Sequence, residues 1–342
     1  MDNILHDAPI LVTGATGFVG SWVTRFLLEQ GATVHITLRD LNLKKRYQHL
    51  IDMANNLPGH IHFFQADLLE EGSFSKAMQN TQAIFHIASP FKFAVNNPQL
   101  DLINPAIQGT KNVLNQACQT PSVKKIILTS SCAAMFGDNI DLNQKPLTEA
   151  SWNTTSSLKH NPYSYSKTMA EKAAWEIANQ QDQWKMVVIN PCLVMGPALS
   201  PVSDSQSLLL LNQLKDGSFK PGVANLGIGI VDVRDVAQAH LNALTLETAQ
   251  GRYIICGHCS SFLEIAQILY KKYGTTYPVP NRALPKALCW LLGPLMLKGI
   301  TRKYIENNVN IPWQADNTKS INDLHMNYRP LQNTLYDAFD SI

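Results

Sequence analysis

Apolar residues in the first half of the chain come in short runs separated by stretches of helical spacing. The runs are PILVTG, TVHITLRD, IHFFQAD, AIFHIAS, KIILTSS and MVVINP. They are apolar at consecutive rather than alternate positions, the pattern of strands buried on both faces of a parallel sheet. Between them, Gly20 to Gln30, Ser73 to Met78, Pro105 to Ala117 and Tyr163 to Asn179 read as helices. Strand and helix alternating in this way predict an α/β fold, a doubly wound parallel sheet of the Rossmann type.

After Pro191 the alternation stops. A loop rich in Pro, Ser and Gly is expected to about Gly229. A strand and helix follow in IVDVRDVAQAHLNALTLE, then a strand in RYIIC. The helix after that strand carries a capping box, Ser261 with Glu264, and a polar tail closes the chain. We therefore expect a nucleotide-binding domain over residues 1–190 and a smaller C-terminal substrate lobe over 191–342, partly interleaved with the first.

The first strand runs into VTGATGFVG. Gly14, Gly17 and Gly20 lie between a strand and an amphipathic helix, the context of a dinucleotide-binding turn. The first glycine permits the turn, the second lets a pyrophosphate approach the backbone, and the third lets the helix pack against the strand. Thr16, Phe18 and Val19 share this loop, whose helix N-terminus offers N–H groups to phosphate. At the end of the second strand an acidic residue would bond the ribose of NAD, whereas an arginine accommodates the 2′-phosphate of NADP. Arg39 holds that position, followed by Lys44, Lys45 and Arg46, which favours NADP(H); Asp40 next to it is the counter-indication. Asp67 and Leu68 after the third strand are candidates for the adenine, and Ala88 and Ser89 after the fourth for a ribose. Pro191 and Leu193 complete the candidate cofactor set.

The fifth strand ends in Ser130-Ser131, and about thirty residues later the chain reads YSYSK. Residues four apart share a helix face and residues two apart do not, so Tyr163 sits with Lys167 while Tyr165 faces away. A tyrosine ordinarily titrates near pH 10, and a neighbouring ammonium lowers that value.

Together these features resemble the extended short-chain dehydrogenase/reductase family. The motifs are TGxxGxxG at Thr13 to Gly20, Ser130-Ser131, Tyr163 with Lys167, NPCLVMGP at Asn190 to Pro197 and VDVRDVAQAH at Val231 to His240. FHIASPF and EKAAWE narrow the resemblance to the branch of dihydroflavonol reductases, cinnamoyl-CoA reductases and yeast-type methylglyoxal/aldehyde reductases. The resemblance implies NADPH-dependent reduction of an aldehyde or ketone. Tyr163 would donate the proton, Lys167 would tune it and bond the nicotinamide ribose, and Ser131 would hold the carbonyl oxygen, with Ser130 as the fallback. The resemblance also implies a homodimer formed through the helices at residues 105–117 and 163–179. An NAD-dependent 3β-hydroxysteroid dehydrogenase type or nucleotide-sugar epimerase or dehydratase is the alternative, and Arg39 counts against the latter.

Two departures bear on the substrate. Pro162, Ser164 and Ser166 stand where cinnamoyl-CoA reductases carry an aromatic–cysteine–glycine version of the helix motif. Phe136 stands where flavonoid reductases place a ring-binding Asn. A small or medium carbonyl compound in an apolar pocket is therefore expected, with Phe91, Phe93, Met135, Phe136 and Cys192 as candidate lining residues.

Composition narrows the partners. A net charge of +2 gives no reason to expect nucleic acid or a membrane surface. The N-terminus lacks a basic leader and the six cysteines read as reduced thiols, so a cytoplasmic location is expected. No metal-ligating cluster is read from the sequence. CGHC at Cys256 to Cys259 has redox-pair spacing but follows a late strand, so it is read as a loop that holds two thiols. The apolar stretch from Ala283 to Ile300 is expected to form an amphipathic helix broken at Gly293-Pro294 and packed on the substrate side or on a partner, with contact to a membrane surface as the lesser alternative.

Overall fold

The computed structural model describes residues 4–89, 97–200, 205–296 and 299–342, so Phe91 and Phe93 lie outside the described residues. In chain order the main elements are β1 (Ile10–Thr13), α1 (Phe18–Glu29), β2 (Thr33–Leu38), α2 (Gln48–Asn56), β3 (His60–Gln65), α3 (Ser75–Met78), β4 (Ala83–His86), α4 (Asn104–Cys118) and β5 (Lys125–Thr129). The second half continues with α5 (Pro162–Ala178), β6 (Lys185–Pro191), β7 (Leu193–Met195), α6 (Gln206–Asp216), β8 (Gly227–Asp232), α7 (Val233–Thr245), β9 (Gly251–Ile255) and β10 (His258–Ser261). It closes with α8 (Phe262–Tyr273), α9 (Lys286–Met296), α10 (Arg302–Asn308), α11 (Thr318–Asp323) and α12 (Leu331–Asp340).

Seven strands form one parallel sheet in the order β3-β2-β1-β4-β5-β6-β9. The consecutive apolar residues are explained by helices on both faces. In β1, Ile10 and Val12 enter the core shared with α1 and α7, while Leu11 enters the opposite core with Val113, Leu114 and Ala174 of α4 and α5. The strand order reverses between β1 and β4, and the crevice beyond the carboxyl ends of the strands at such a switch point is where doubly wound sheets hold ligands. Strand β9, from the second half of the chain, is the edge strand beside β6. A smaller sheet, β10-β8-β7, packs with α6, α8 and α12 around Met195, Leu211, Ile265 and Phe339.

Four expectations are corrected. The segment expected as loop to Gly229 contains β7 and α6, whose Leu208, Leu211 and Leu214 are buried at helical spacing. The tail expected to be merely polar folds into α11 and α12, because Leu335, Ala338 and Phe339 cover the second core. Helix α9 is not broken at Gly293-Pro294 but runs through both residues. Of the capping box only half forms: Ser261 accepts from the N–H of Glu264, while the Glu264 carboxylate takes the hydroxyl of Ser260.

Candidate active site

The turn between β1 and α1 is built by close backbone approach. Gly14 has φ +74°, a conformation that favours glycine, and a Cβ there would meet the Ala88 backbone N at 2.7 Å. At Gly20 a Cβ would lie 2.0 Å from the Gly14 carbonyl oxygen, which no side chain tolerates. Gly17 is the exposed N-cap of α1 and provides no side-chain cap; the first turn carries no acidic residue. The leading N–H groups at Phe18 and Val19 are thus left for an anion, the donor arrangement a pyrophosphate requires. The hydroxyl of Thr13, at the end of β1, accepts from the N–H of Ile87 at 3.2 Å and of Ala88 at 3.1 Å. This ties the glycine turn to the segment holding Ala88 and Ser89. The same hydroxyl shares a hydrogen bond with Nδ1 of His86 at 2.9 Å. Burial, reinforced by the nearby Lys167 charge, pushes His86 down to about 3 and keeps it neutral.

Arg39 is exposed just past β2, with exposed Lys44 and Lys45 close behind. The carboxylate of Asp40 accepts from the N–H of Asn42 at 2.8 Å, a local turn that occupies the acidic neighbour. Asp67 does the same with the N–H of Leu69. Leu68 packs under Gly109 of α4, where a Cβ would come within 3.1 Å. Pro191 ends β6 buried, and Leu193 opens β7 half-buried, both at the carboxyl edge of the main sheet.

The serine pair and the helix motif converge beyond β5. Helix α5 starts at Pro162 after Asn161 in the left-handed conformation, φ 52°. Asn161 donates to the Gly137 carbonyl at 3.1 Å and to Asp138 at 2.9 Å. Asp138 is a buried hub that also accepts from His160, Asn307 and Asn308, the last two carried by α10. Burial alone would raise its carboxyl, but these donors hold it below the usual range. Tyr163, one residue into the helix, is hydrogen-bonded to Ser131. The Tyr163 residue is 39% exposed, but enclosure of its hydroxyl end pushes that group up, and Ser131 beside it pulls it down. Lys167 is pushed down to about 8 by burial, opposed by the charge of Glu171 one turn further on.

Glu171 is a residue the sequence reading passed over. It is 1% exposed and accepts from Ser130 Oγ at 2.5 Å, Asn190 Nδ2 at 2.9 Å and Arg252 Nε at 2.6 Å. The two neighbouring serines thus have separate tasks: Ser130 is committed to Glu171, and Ser131 faces Tyr163. Asn190 also donates to the Ser131 carbonyl at 3.2 Å, fixing the strand end that carries it. Arg252 comes from β9 and lies 4.1 Å over the Trp152 ring. The partial signal in the sequence was EKAAWE, which places an acid one helical turn after Lys167.

This geometry can be set beside known proteins. The profile of the NAD dependent epimerase/dehydratase family matches residues 10–257. Cinnamoyl-CoA reductase CAD2 of Medicago truncatula is 33% identical over 336 residues, 97% of this chain and 95% of its own. The chain belongs to the extended short-chain dehydrogenase/reductase family. Its relatives are named as reductases, and the chain is an oxidoreductase. An anthocyanidin reductase of Vitis vinifera is 36% identical over 282 residues, covering 79% of this chain and 82% of its own. Among solved structures, Gre2 of Candida albicans, determined in complex with NADPH, matches with a TM-score of 0.80 at 28% identity over 98% of both chains.

On the substrate side this family member is less open than the sequence suggested. Met135 is 2% exposed and belongs to a small core with Cys132, Leu147, Ile254 and Trp313. Phe136 and Cys192 are half-buried against the same core, Phe136 with its ring 5.7 Å from that of Trp313. A cleft is lined by Met135, Phe136, Leu142, Leu147, Trp152 and Asn153, and neither Tyr163 nor Lys167 lines it. The Sγ atoms of Cys132 and Cys192 stand 3.2 Å apart as free thiols. Cys256 is buried and Cys259 exposed, in the turn from β9 to β10 and its first residues. Among the described residues no cluster suited to a metal ion occurs.

Proposed function

We propose that this chain reduces an aldehyde or ketone to an alcohol with NADPH. The observation that carries the reading is that Ser130 is diverted to Glu171, which leaves Ser131 as the serine beside Tyr163, with Lys167 one turn beyond. The exposed Arg39 and the locally occupied Asp40 support NADP(H) over NAD(H). The uncapped N-terminus of α1 and the glycine turn would hold the pyrophosphate, and Ala88 and Ser89 would lie along a ribose. When bound, the coenzyme supplies the hydride.

The remaining chemistry falls to side chains. Ser131 and Tyr163 share a hydrogen bond that a substrate carbonyl oxygen would join, Ser131 donating to it as charge develops. Tyr163, kept protonated by burial, then gives up its proton to the alkoxide. Lys167 is an ammonium below about pH 8 and stabilises the phenolate left behind. Pro162, Ser164 and Ser166 separate the helix motif from that of CoA-thioester reductases, so the proposed substrate is a free carbonyl compound. That parts company with the activity for which the Medicago relative is named.

The test is a coenzyme-oxidation screen with NADPH and NADH in parallel over aliphatic, aromatic and dicarbonyl compounds, repeated with cinnamoyl-CoA. Carbonyl-dependent oxidation of NADPH, lost in Tyr163→Phe, is the expected result. NAD retained through dialysis without carbonyl reduction, or an undiminished Tyr163→Phe variant, would overturn it.

A further inference from the structure

Helix α9 has one face covered and one bare. On the covered face Gly293 lies against Ile305 of α10, where a Cβ would come within 2.8 Å of Ile305 Cδ1. The Trp290 indole donates to Glu306 at 2.7 Å, and Lys286 donates to the Glu306 carbonyl at 2.8 Å. The bare face carries Leu288, Leu291, Leu292 and Leu295, spaced at three, four and seven residues, so they form a single stripe. Their exposures are 40%, 54%, 37% and 82%, and Trp290 beside them is 36% exposed. Of the fourteen large apolar side chains exposed among the described residues, five are on this helix. Scattered exposed leucines need no explanation, but a contiguous stripe does.

The surrounding charge indicates what covers it. Among the described residues from Arg282 to Glu306 there are four basic ones, Arg282, Lys286, Arg302 and Lys303, against the single acid Glu306. That surplus exceeds the +2 of the whole chain. Arg302 stacks 4.5 Å from the Trp290 ring, at the border of the stripe, and both Arg302 and Lys303 are exposed. An apolar stripe with an amphipathic indole at its border and basic residues on its flank is the arrangement of a helix lying in a membrane interface. An 11-residue helix is about 16 Å long, too short to span a bilayer. Two copies meeting through this face would bring the same basic flanks together, which disfavours a second copy as the occupant.

We propose that α9 is a membrane-surface contact: its leucine stripe inserts shallowly among the acyl chains of an anionic bilayer, and the basic flank engages lipid phosphates. Total charge makes a membrane surface the lesser expectation for this helix; the uncovered stripe and the exposed Arg302 and Lys303 at its border are what total charge hides. Helix α10 both backs α9 and, through Asn307 and Asn308, holds the Asp138 hub at the start of α5.

Co-sedimentation of the full chain with vesicles tests this. The protein should pellet with vesicles containing phosphatidylglycerol and stay in solution with pure phosphatidylcholine. Binding should fall when salt is raised, because the Debye length shrinks to about 3 Å at 1 M. A Leu291→Gln/Leu295→Gln double variant should bind at least about tenfold more weakly, and Lys303→Glu should weaken binding to the anionic vesicles selectively. Unchanged thermal melting and NADPH quenching of both variants would show that the fold and coenzyme site are intact. Failure of the wild type to pellet with either vesicle would overturn the proposal. So would pelleting undiminished in the double variant, or a concentration-dependent dimer that the double variant abolishes. None of these readouts depends on which carbonyl compound the enzyme reduces.

Discussion

The coenzyme turn and the Glu171 cluster treat their polar groups in opposite ways. At the turn, the first N–H groups of α1 have no side-chain cap, and Arg39 stands exposed. Behind the serine pair, the Glu171 carboxylate is fully enclosed by Ser130, Asn190, Arg252 and Trp175. The first arrangement leaves donors available for a ligand. The second uses every acceptor position to hold the strand ends and α5 in place. The two regions thus differ in where capacity is left over: at exposed backbone donors of the turn, against a saturated carboxylate whose partners Asn190 and Arg252 each keep one unpaired atom, Oδ1 and Nη2, buried inside the fold.

The contrast can be broken from either side. The largest effect is expected for Tyr163→Phe, which removes the proton donor while leaving the ring: kcat for carbonyl reduction should fall by about 10²- to 10⁴-fold with melting unchanged. Next is Glu171→Gln, which leaves the buried Arg252 guanidinium without its ion pair. It should cost about 3 kcal/mol in denaturant unfolding. An equal stability for this variant would sink the supporting role.

Acid should loosen the whole fold. His86 and His240 are buried and pushed down by burial to about 3 and about 4, so the unfolded chain takes up protons that the folded chain refuses. Stability is therefore full above the ordinary histidine value and falls as pH drops below it. By pH 5 each histidine should contribute a loss of about 2 kcal/mol, readable from melting at pH 7 and pH 5.

Two smaller effects concern the site alone. Arg39→Ala should raise the KM for NADPH about tenfold and leave that for NADH nearly unchanged, since only the former has a phosphate to lose. Carbonyl reduction should decline as pH rises through about 8, where Lys167 loses its ammonium charge. Because the Glu171 charge opposes that loss, Glu171→Gln should move the decline to lower pH. A decline that stays put in the variant would remove Glu171 from the tuning of Lys167.

The parallel sheet and the glycine turn were legible in the sequence because both depend on local chain geometry. Runs of consecutive apolar residues imply cover on two faces, and GxxGxxG between a strand and a helix marks a place where the backbone must approach itself. The four-residue interval from Tyr163 to Lys167 is likewise local. The C-terminal region was legible only in part. Residues 206–216 and 331–340 were read as loop and polar tail, because their few apolar residues become informative once the core they cover is known.

The remaining decisions belong to tertiary structure. The choice between Ser130 and Ser131 turns on Glu171, Arg252 and Asn190, drawn from a helix and two strands far apart in the chain. The direction in which the Tyr163 hydroxyl is pushed depends on the enclosure of that end of the side chain and on Ser131, which its spacing from Lys167 does not reveal. The leucines of α9 could as well have been core; only the packing against α10 shows which face is left bare. Sequence determined the parts whose physics lies within one or two helical turns. Solvation and long-range pairing, which sum over the whole fold, determined what those parts do.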